Sequence, residues 1–279
     1  MGALHRGHAA LVERAKRESA TVVASLFVNP LQFGPNEDFE RYPRSFEADA
    51  ALLEKSGVDL LYAPSLERMY PAGFASRVSV DIVTADYEGA WRPGHFDGVA
   101  TVITKLLHAI EPTSLYLGQK DVQQVAVLRA LVRDLDFATN VVVVPTVREP
   151  DGLALSSRNV YLSPEGRAAA PSLFRALRTV AALVRSGDTD RTRVLAAGEA
   201  LLETPLRWDY IAVVDPSSFM ALDPLRRPAI VVGAARAGTT RLLDNVPVPA
   251  ADGIDPVLTP EYPRRQNLTE KPASSRSMR

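Results

Sequence analysis

Short apolar runs alternate with amphipathic stretches over the first half of the chain, up to about residue 146. Two amphipathic stretches, one from Asp97 to Pro112 and one after Asp121, have apolar positions at i, i+3, i+4 and i+7, so each predicts a helix. The apolar runs are rich in β-branched residues and predict buried strands: TVVASLFV, VDLLYAP, TSLYLG and NVVVVPTV. Strands alternating with helices are typical of an α/β domain with a mostly parallel sheet.

The pattern changes beyond residue 150, where two helical stretches, 164–186 and 190–203, precede three strand-like runs. Helices grouped before strands predict a small α+β domain. From residue 250 the chain is polar and contains several prolines, which predicts disorder. We therefore expect a first domain over 1–146, a smaller C-terminal domain over 147–249 that closes over the site, and a disordered tail over 250–279.

Composition excludes several classes of protein. The formal net charge of the 279 residues is -1, so no global positive field favours nucleic acid or a membrane surface as a partner. The absence of cysteine excludes disulfides, thiolate nucleophiles and cysteine-based zinc sites. No apolar run approaches the roughly 20 residues of a membrane span, and the first residues lack a signal-peptide pattern. We expect a cytoplasmic protein.

The opening stretch GALHRGH places two histidines where a helix is predicted to begin. Unpaired N–H groups at a helix N-terminus form an anion site, and imidazoles at His5 and His8 could add donors to a phosphate. Two alternatives are a frayed terminus with incidental histidines and a two-histidine metal site, although the second lacks an evident carboxylate nearby. This stretch alone does not decide among them.

Two further stretches offer polar side chains near predicted strand ends or turns. SLFVNPLQFGPNEDFERYPR leads from a strand into a polar loop, where amides could hold hydroxyls or a carboxylate. EGAWRPGHFDG forms a glycine-rich turn with Asp97 as an expected N-cap, and Arg92 beside it could pair an acidic substrate. The alternatives are a surface loop and a structural turn.

Two other stretches carry groups suited to a nucleotide. In SLYLGQKDVQQ a strand ends at Gly118, and Lys120 and Asp121 lie at the junction with a helix, where lysine suits phosphate and aspartate suits ribose. In VREPDGLALSSRN, two serines and Arg158 lie on a connection that could close over a triphosphate. A capped helix and a polar linker are the corresponding alternatives.

Together these groups fit a nucleoside triphosphate site without a P-loop, since no G-x-x-x-x-G-K-[ST] occurs. No obvious nucleophilic residue accompanies them. Positioning and electrostatic stabilisation would then carry the reaction, as in adenylyl transfer to a carboxylate.

The motifs MGALHRGH, FVNPLQFGPNED, YPR, PGHFDGVATVITKL, LGQKDVQQ and REPDGLALSSRNVYL, in this order, resemble the pantothenate synthetase (pantoate–β-alanine ligase) family. The similarity extends from residue 1 to about residue 247. It implies a Rossmann-type nucleotidyltransferase domain with a smaller C-terminal domain, usually as a homodimer. It also implies that pantoate, ATP and Mg²⁺ give an enzyme-bound pantoyl adenylate, which β-alanine attacks to release pantothenate and AMP.

The resemblance also implies roles for individual residues. Four would be catalytic, with His8 as the proton donor: His8, His5, Lys120 and Arg158. Twelve would hold ATP: Met1, Gly2, Ala3, Leu4, Gly7, Gly118, Gln119, Asp121, Val147, Leu155, Ser156 and Ser157. Gln32 and Gln124 would hold pantoate, Gln32 also bordering β-alanine, and four more match pocket positions: Asn29, Tyr42, Glu88 and Arg92. No metal ligand is assigned.

The sequence departs from the family pattern at three positions near the ATP site. Arg6 and Gln119 replace the usual glutamates, and Leu155 replaces a frequent methionine. The family also carries a leading strand that feeds into the MGALH signature, so we expect a parallel sheet without one central member. Either the declared start is displaced or the protein is naturally shortened and impaired; we favour the first and expect the chain as written to be poorly stable.

Overall fold

The computed structural model describes residues 3–34, 39 and 45–258 of the chain. Met1, Gly2 and Tyr42, three of the predicted site residues, therefore lie outside the described residues. The helices of the described part are α1 Arg6–Glu18, α2 Phe46–Lys55, α3 Leu66–Met69, α4 Glu88–Trp91, α5 His95–Ile110, α6 Val122–Asp134, α7 Pro164–Ala169, α8 Pro171–Arg185 and α9 Arg191–Glu199. Its strands are β1 Val23–Ser25, β2 Leu60–Tyr62, β3 Ser114–Gly118, β4 Asn140–Val144, β5 Arg207–Val214, β6 Ala229–Ala237 and β7 Thr240–Val248.

The first four strands form two parallel pairs. β1 lies beside β2, and β3 lies beside β4 with Ser114 opposite Asn140 and Gly118 opposite Val144. Within the described ranges no ladder joins β1 to β3, so the parallel sheet is in two pieces. The predicted strand positions are confirmed, and the carboxyl ends of β3 and β4 lie side by side, where ligands bind in open α/β sheets.

The long helix α5 begins two residues earlier than its apolar periodicity indicates. Gly94 adopts a left-handed conformation with φ 79° and takes the N-cap position, so Asp97 lies in the first turn and is not the cap. The helix ends at Glu111, also left-handed, immediately before Pro112. Its buried face includes Val99 and Leu107, which pack against α6 and β3 in a first hydrophobic core.

The C-terminal part is an antiparallel sheet in the order β5-β6-β7 with helices α7 to α9. The predicted alanine-rich helix is divided near residue 170 into α7 and α8, with Pro171 at the first position of α8. Its Leu177 and Val180 lie in a second hydrophobic core with β6 and β7. The predicted α+β arrangement is therefore present.

Strand β6 separates the two hydrophobic cores. Ile230 and Val232 belong to the first core with α5 and α6, while Ala229 and Val231 belong to the second with α8. Successive strand residues point to opposite faces, so β6 is buried on both. The C-terminal sheet is thus packed between its own helices and the N-terminal α/β layer.

The structure differs from the expected disorder over 250–258. Val257 is buried in the first core, and Arg129 on α6 donates to the carbonyls of Pro256 and Val257. Asp255 also accepts from the amides of Val257 and Leu258. Burial of apolar side chains against the first core offsets the conformational entropy that this segment loses on ordering. The disorder prediction rested on local composition, which does not reveal a packing surface formed by distant residues. In the described part, no helix is long and apolar enough to cross a membrane.

Candidate active site

The two N-terminal histidines form a reciprocal capping arrangement at the start of helix α1. His5 is the N-cap, and its Nδ1 accepts the Gly7 amide at 3.1 Å, while the His8 Nδ1 accepts the His5 amide at 3.2 Å. A Cβ at residue 7 would lie 2.8 Å from the His5 ring, so any larger residue there would displace this imidazole. Because both Nδ1 atoms accept, the neutral imidazoles carry their hydrogen on Nε2.

Both imidazoles are neutral at pH 7. Burial and the neighbouring His5 ring lower the pKa of His8 to about 4, and burial together with the Lys120 cation lowers the pKa of His5. The ring centroids are 4.2 Å apart. The pair therefore offers two uncharged Nε2–H donors beside a lysine, an arrangement suited to a phosphate oxygen.

Several backbone N–H groups of this stretch, where an anion was expected to bind, are engaged within the protein. The amides of Gly7 and His8 donate to His5, and those of Ala3 and Leu4 donate to the two oxygens of the buried Asp49 at 2.9 and 2.8 Å. Ala3 adopts φ 52°, so Asp49 holds an unusual backbone conformation. Asp49 of α2 thus holds the backbone of residues 3 and 4 in place. The Nε2–H groups of the two imidazoles are side-chain donors that this stretch can direct at a ligand.

The turn after β3 carries the next predicted group. A 3-10 turn spans Gln119–Asp121, and the Lys120 Nζ lies 3.6 Å from an Asp121 oxygen. Partial burial of Asp121 opposes its ionisation, but Lys120, His95 and Arg92 outweigh it and hold the pKa of the carboxyl below its ordinary value. The Gln119 side chain is buried against Asn245 and lines neither of the cavities described next.

Two cavities meet at Lys120. The first has about 450 Å³ of empty space, part of it open to solvent, and the second about 330 Å³. Predicted site residues that line the first are Glu88, Arg92, Lys120, Asp121 and Gln124. Ser156 and Lys120 line the second, and Leu243 and Asp244 of β7 line both. A ligand with a phosphate near Lys120 could therefore extend into either of the two cavities.

Arg92 and the loop carrying Gln32 are locked together. The Arg92 Nη2 and the His95 Nδ1 both donate to the Gln32 carbonyl, at 3.1 and 2.9 Å, and the Arg92 Nη1 lies 3.1 Å from the His95 Nε2. A Cβ at Gly98 would lie 2.1 Å from the Leu31 carbonyl oxygen. Only glycine permits this approach of α5 to the loop, which fixes the position of Gln32.

Asn29 and Glu88 have protein partners at their polar atoms. Asn29 donates to the Gly98 carbonyl at 3.0 Å and accepts from the Tyr70 hydroxyl at 2.8 Å. Glu88 accepts two bonds from Arg241 at 2.6 Å and one from Tyr210 at 2.9 Å. Their observed contacts hold the pocket wall in place, and direct contact of either residue with substrate stays a prediction.

The connection after β4 forms a small hairpin before its serines. Arg148 and Ala154 form a β-bridge, and the Leu155 amide donates to the Val147 carbonyl at 3.0 Å. The Ser156 hydroxyl caps a 3-10 helix, Ser157–Tyr161, that contains Arg158. Arg6 at the start of α1 forms an ion pair with Glu149 of this hairpin at 3.0 Å, so the hairpin lies next to the histidine motif.

Several residues around the site were not predicted from the sequence. They are Asp49, His95, Tyr210, Arg241, Asp244 and Asn245. The one available signal was the polar pair Asp244–Asn245 in the middle of the strand-like run TRLLDNVPV, because buried polar residues in a strand require partners.

Comparison with known proteins gives one consistent result. The family model described as pantoate-beta-alanine ligase matches residues 1–247. The chain is 54% identical over 248 residues to the pantothenate synthetase of Acidobacterium capsulatum, covering 88% of this chain and 83% of the relative. It is also 54% identical over 250 residues to that of Thermus thermophilus, covering 89% and 91%.

Two solved structures extend the comparison to the fold and confirm the predicted α/β class. The pantothenate synthetase of Thermus thermophilus superposes with a TM-score of 0.86, covering 90% of this chain and 91% of that one. The pantoate-beta-alanine ligase of Francisella tularensis, described as complexed with beta-gamma ATP and beta-alanine, is 35% identical, has a TM-score of 0.72 and covers 88% and 87%. Matches of this extent decide the family: the chain belongs to the pantoate–β-alanine ligases.

Proposed function

We propose that this chain is an ATP-dependent ligase that joins pantoate to β-alanine through a pantoyl adenylate. The observation that carries the proposal is the pair of neutral imidazoles whose pKa values Lys120 affects, together with Lys120 itself in the lining of both cavities. Relatives covering most of the chain bear the name pantothenate synthetase, and none of these comparisons supports an impaired homologue without turnover.

The first step forms the adenylate. A pantoate carboxylate oxygen attacks the α-phosphorus of ATP, and the bond from that phosphorus to the bridging oxygen of the β-phosphate breaks, so that pyrophosphate leaves. Negative charge spreads over the phosphoryl oxygens in the transition state. The Nε2–H groups of His5 and His8 and the Lys120 ammonium stabilise that charge without reorganising, because each is already held in place.

The second step transfers the pantoyl group. The neutral amine nitrogen of β-alanine attacks the acyl carbon, the C–O bond to AMP breaks, and the attacking nitrogen releases a proton to solvent water as the amide forms. We place this step at the first cavity because Gln124 and Arg92 line it and the Arg92 guanidinium donates to the Gln32 carbonyl. We propose that the two glutamine amides hold pantoate by its hydroxyls and carboxylate.

The nucleotide would lie across Lys120 towards the second cavity. We propose that Gly118 and Asp121 contact the ribose, Val147 the adenine, and Leu155, Ser156, Ser157 and Arg158 the phosphates. Support comes from the position of the hairpin next to the histidine motif and from Ser156 in the wall of the second cavity.

Magnesium is proposed to arrive with ATP. In the described ranges no three His, Asp or Glu side chains lie together as a metal site. Asp121, whose side chain is 53% exposed, offers one ionised oxygen ligand, and Mg²⁺ commonly binds through one or two carboxylates plus substrate phosphates. When bound there, the ion neutralises charge on the phosphates. The homodimer and the cytoplasmic location stay predictions from the sequence.

The test measures product release by the purified full chain. AMP should appear only with ATP, pantoate and β-alanine together, while pyrophosphate should need ATP and pantoate alone. His8→Ala should lower the rate about 100-fold, whereas the control His108→Ala, on the exposed last turn of α5, should leave it unchanged. Gln124→Ala should raise the KM for pantoate and leave ATP binding intact. AMP release independent of pantoate would refute the proposal.

A further inference from the structure

Residues Asp244 and Asn245 of β7 connect the two halves of the proposed nucleotide site. They are polar residues between the apolar pairs Leu242–Leu243 and Val246–Pro247 of β7, and both are almost fully buried. Successive residues of a strand point to opposite faces, so Asp244 and Asn245 can hold groups on the two sides of β7. A buried polar pair persists only where its hydrogen bonds are satisfied, and the identity of the partners shows what the pair holds.

Asn245 holds the turn that carries Lys120. Its Nδ2 donates to the carbonyls of Gln119 and Lys120 at 2.9 and 3.0 Å, and its Oδ1 accepts from the Gln119 Nε2 at 3.1 Å. Asn245 is 1% exposed, so no water competes for these bonds. Both hydrogens of the amide are used, and they fix the backbone from which the Lys120 side chain extends.

Asp244 holds the hairpin that precedes the phosphate-suited serines. Its two oxygens accept hydrogen bonds from the two Nη atoms of Arg148 at 2.6 and 2.8 Å. The Arg148 Nη1 also donates to the Gly152 carbonyl at 3.0 Å. The Arg148 guanidinium stacks 3.5 Å from the centroid of the Phe174 ring on α8. An Asp244 oxygen also accepts a hydrogen bond from the backbone N–H of Asn245 at 2.8 Å. The contacts of Asp244 with the hairpin and of Asn245 with the Lys120 turn are therefore coupled.

We propose that Asn245 is a positioning residue for ATP, which acts by holding Lys120 in place, and that Asp244 fixes the hairpin on the other side of the nucleotide through Arg148. This inference rests on the proposed function only in assuming that Lys120 binds a phosphate. It also gives a role to Gln119, which differs from the family pattern: its neutral amide pairs with the Asn245 oxygen.

A double-mutant cycle separates positioning from general stability. ATP dissociation constants are measured by calorimetry for the wild type, Asn245→Ala, Lys120→Ala and the double variant. Asn245→Ala should weaken ATP binding about tenfold, by displacing a charge-assisted contact. In the Lys120→Ala background the same change should weaken binding by less than about twofold, because the group that Asn245 positions is already absent.

Controls distinguish the alternatives. Thr139, just before β4, donates a buried hydrogen bond to the Pro112 carbonyl, just before β3, at the end of these strands opposite Gly118. Thr139→Val removes this bond and should lower stability without changing ATP affinity. Asn245→Asp keeps the side-chain volume but loses both donors, and carries the cycle if Asn245→Ala does not fold. An equal loss in both backgrounds would overturn the proposal, as would failure of both Asn245 variants to fold. Normal ATP binding without pantothenate formation would instead count against the proposed function alone.

Discussion

Arg241 of β7 is the common partner of two buried carboxylates, and removing it should destabilise the chain strongly. Its two Nη atoms donate to Glu88 of α4 at 2.6 Å, and its Nε donates to Asp209 of β5. The three side chains are 15%, 11% and 6% exposed. Arg241→Met keeps most of the volume and removes the charge, which leaves two carboxylates without their shared cation.

The expected loss of unfolding free energy in Arg241→Met depends on the partners that the two carboxylates keep. Breaking a buried ion pair by removing one partner costs about 3–5 kcal/mol, because the other charge stays buried. Glu88 keeps the Tyr210 hydroxyl, and Asp209 keeps Arg236 at 2.9 Å, so we expect the lower end, about 3 kcal/mol. For a chain of this size, that corresponds to a fall in Tm of about 6–12 °C.

Urea unfolding followed by circular dichroism measures this loss. The control Arg17→Met removes an exposed helical ion pair with Glu13 and should change the unfolding free energy by less than about 0.5 kcal/mol. A loss below about 1 kcal/mol at pH 7 would refute the view that Arg241 compensates buried charge.

Three further outcomes are expected. Asp49→Ala should raise the KM for ATP about tenfold, because it releases the amides of Ala3 and Leu4, while Asp49→Asn should have a smaller effect in the same steady-state assay. The pKa of His8 is about 4 in the folded state and about 6.5 in the unfolded state, so the unfolded state binds more protons between these pH values. The free energy of unfolding should therefore fall by about 2–3 kcal/mol as the pH drops from 6.5 to 4. In urea unfolding, His8→Gln should show a weaker dependence of this free energy on pH. Gly98→Ala should raise the KM for pantoate and lower Tm, because its methyl group would overlap the Leu31 carbonyl, and unchanged kinetics would show that the approach of α5 to the loop is dispensable.

The sequence predicted the elements whose cause is local. The apolar periodicity of α5 and α6 and the β-branched runs of β3 and β4 located these elements to within a few residues, because each pattern arises from the element's own buried face. The start of α5 differed because a left-handed Gly94 took the cap position that Asp97 appeared to offer. Cap geometry depends on backbone dihedral angles that composition does not specify.

The rest depends on contacts between distant parts of the chain. Asn245 and Gln119 are 126 residues apart, and Arg241 and Glu88 are 153 apart, so neither pair leaves a local pattern. The motifs did identify Lys120, Asp121 and Gln124, which the structure brings to one cavity. Residue type alone does not predict whether Asn29 or Glu88 contacts a ligand, because an amide or a carboxylate is the same letter in the sequence whether its partner is a substrate or another protein group.

The burial of β6 on both faces limits how the molecule can move during turnover. Swinging the C-terminal region away as a rigid lobe would expose Ile230 and Val232 to water and break the apolar layer that they share with α6. Admission and release of substrates should therefore rely on the short segment from Leu155 to Arg158. In hydrogen-exchange experiments, we expect the amides of β6 to exchange only through global unfolding, and those of this segment to exchange through local opening that ATP suppresses.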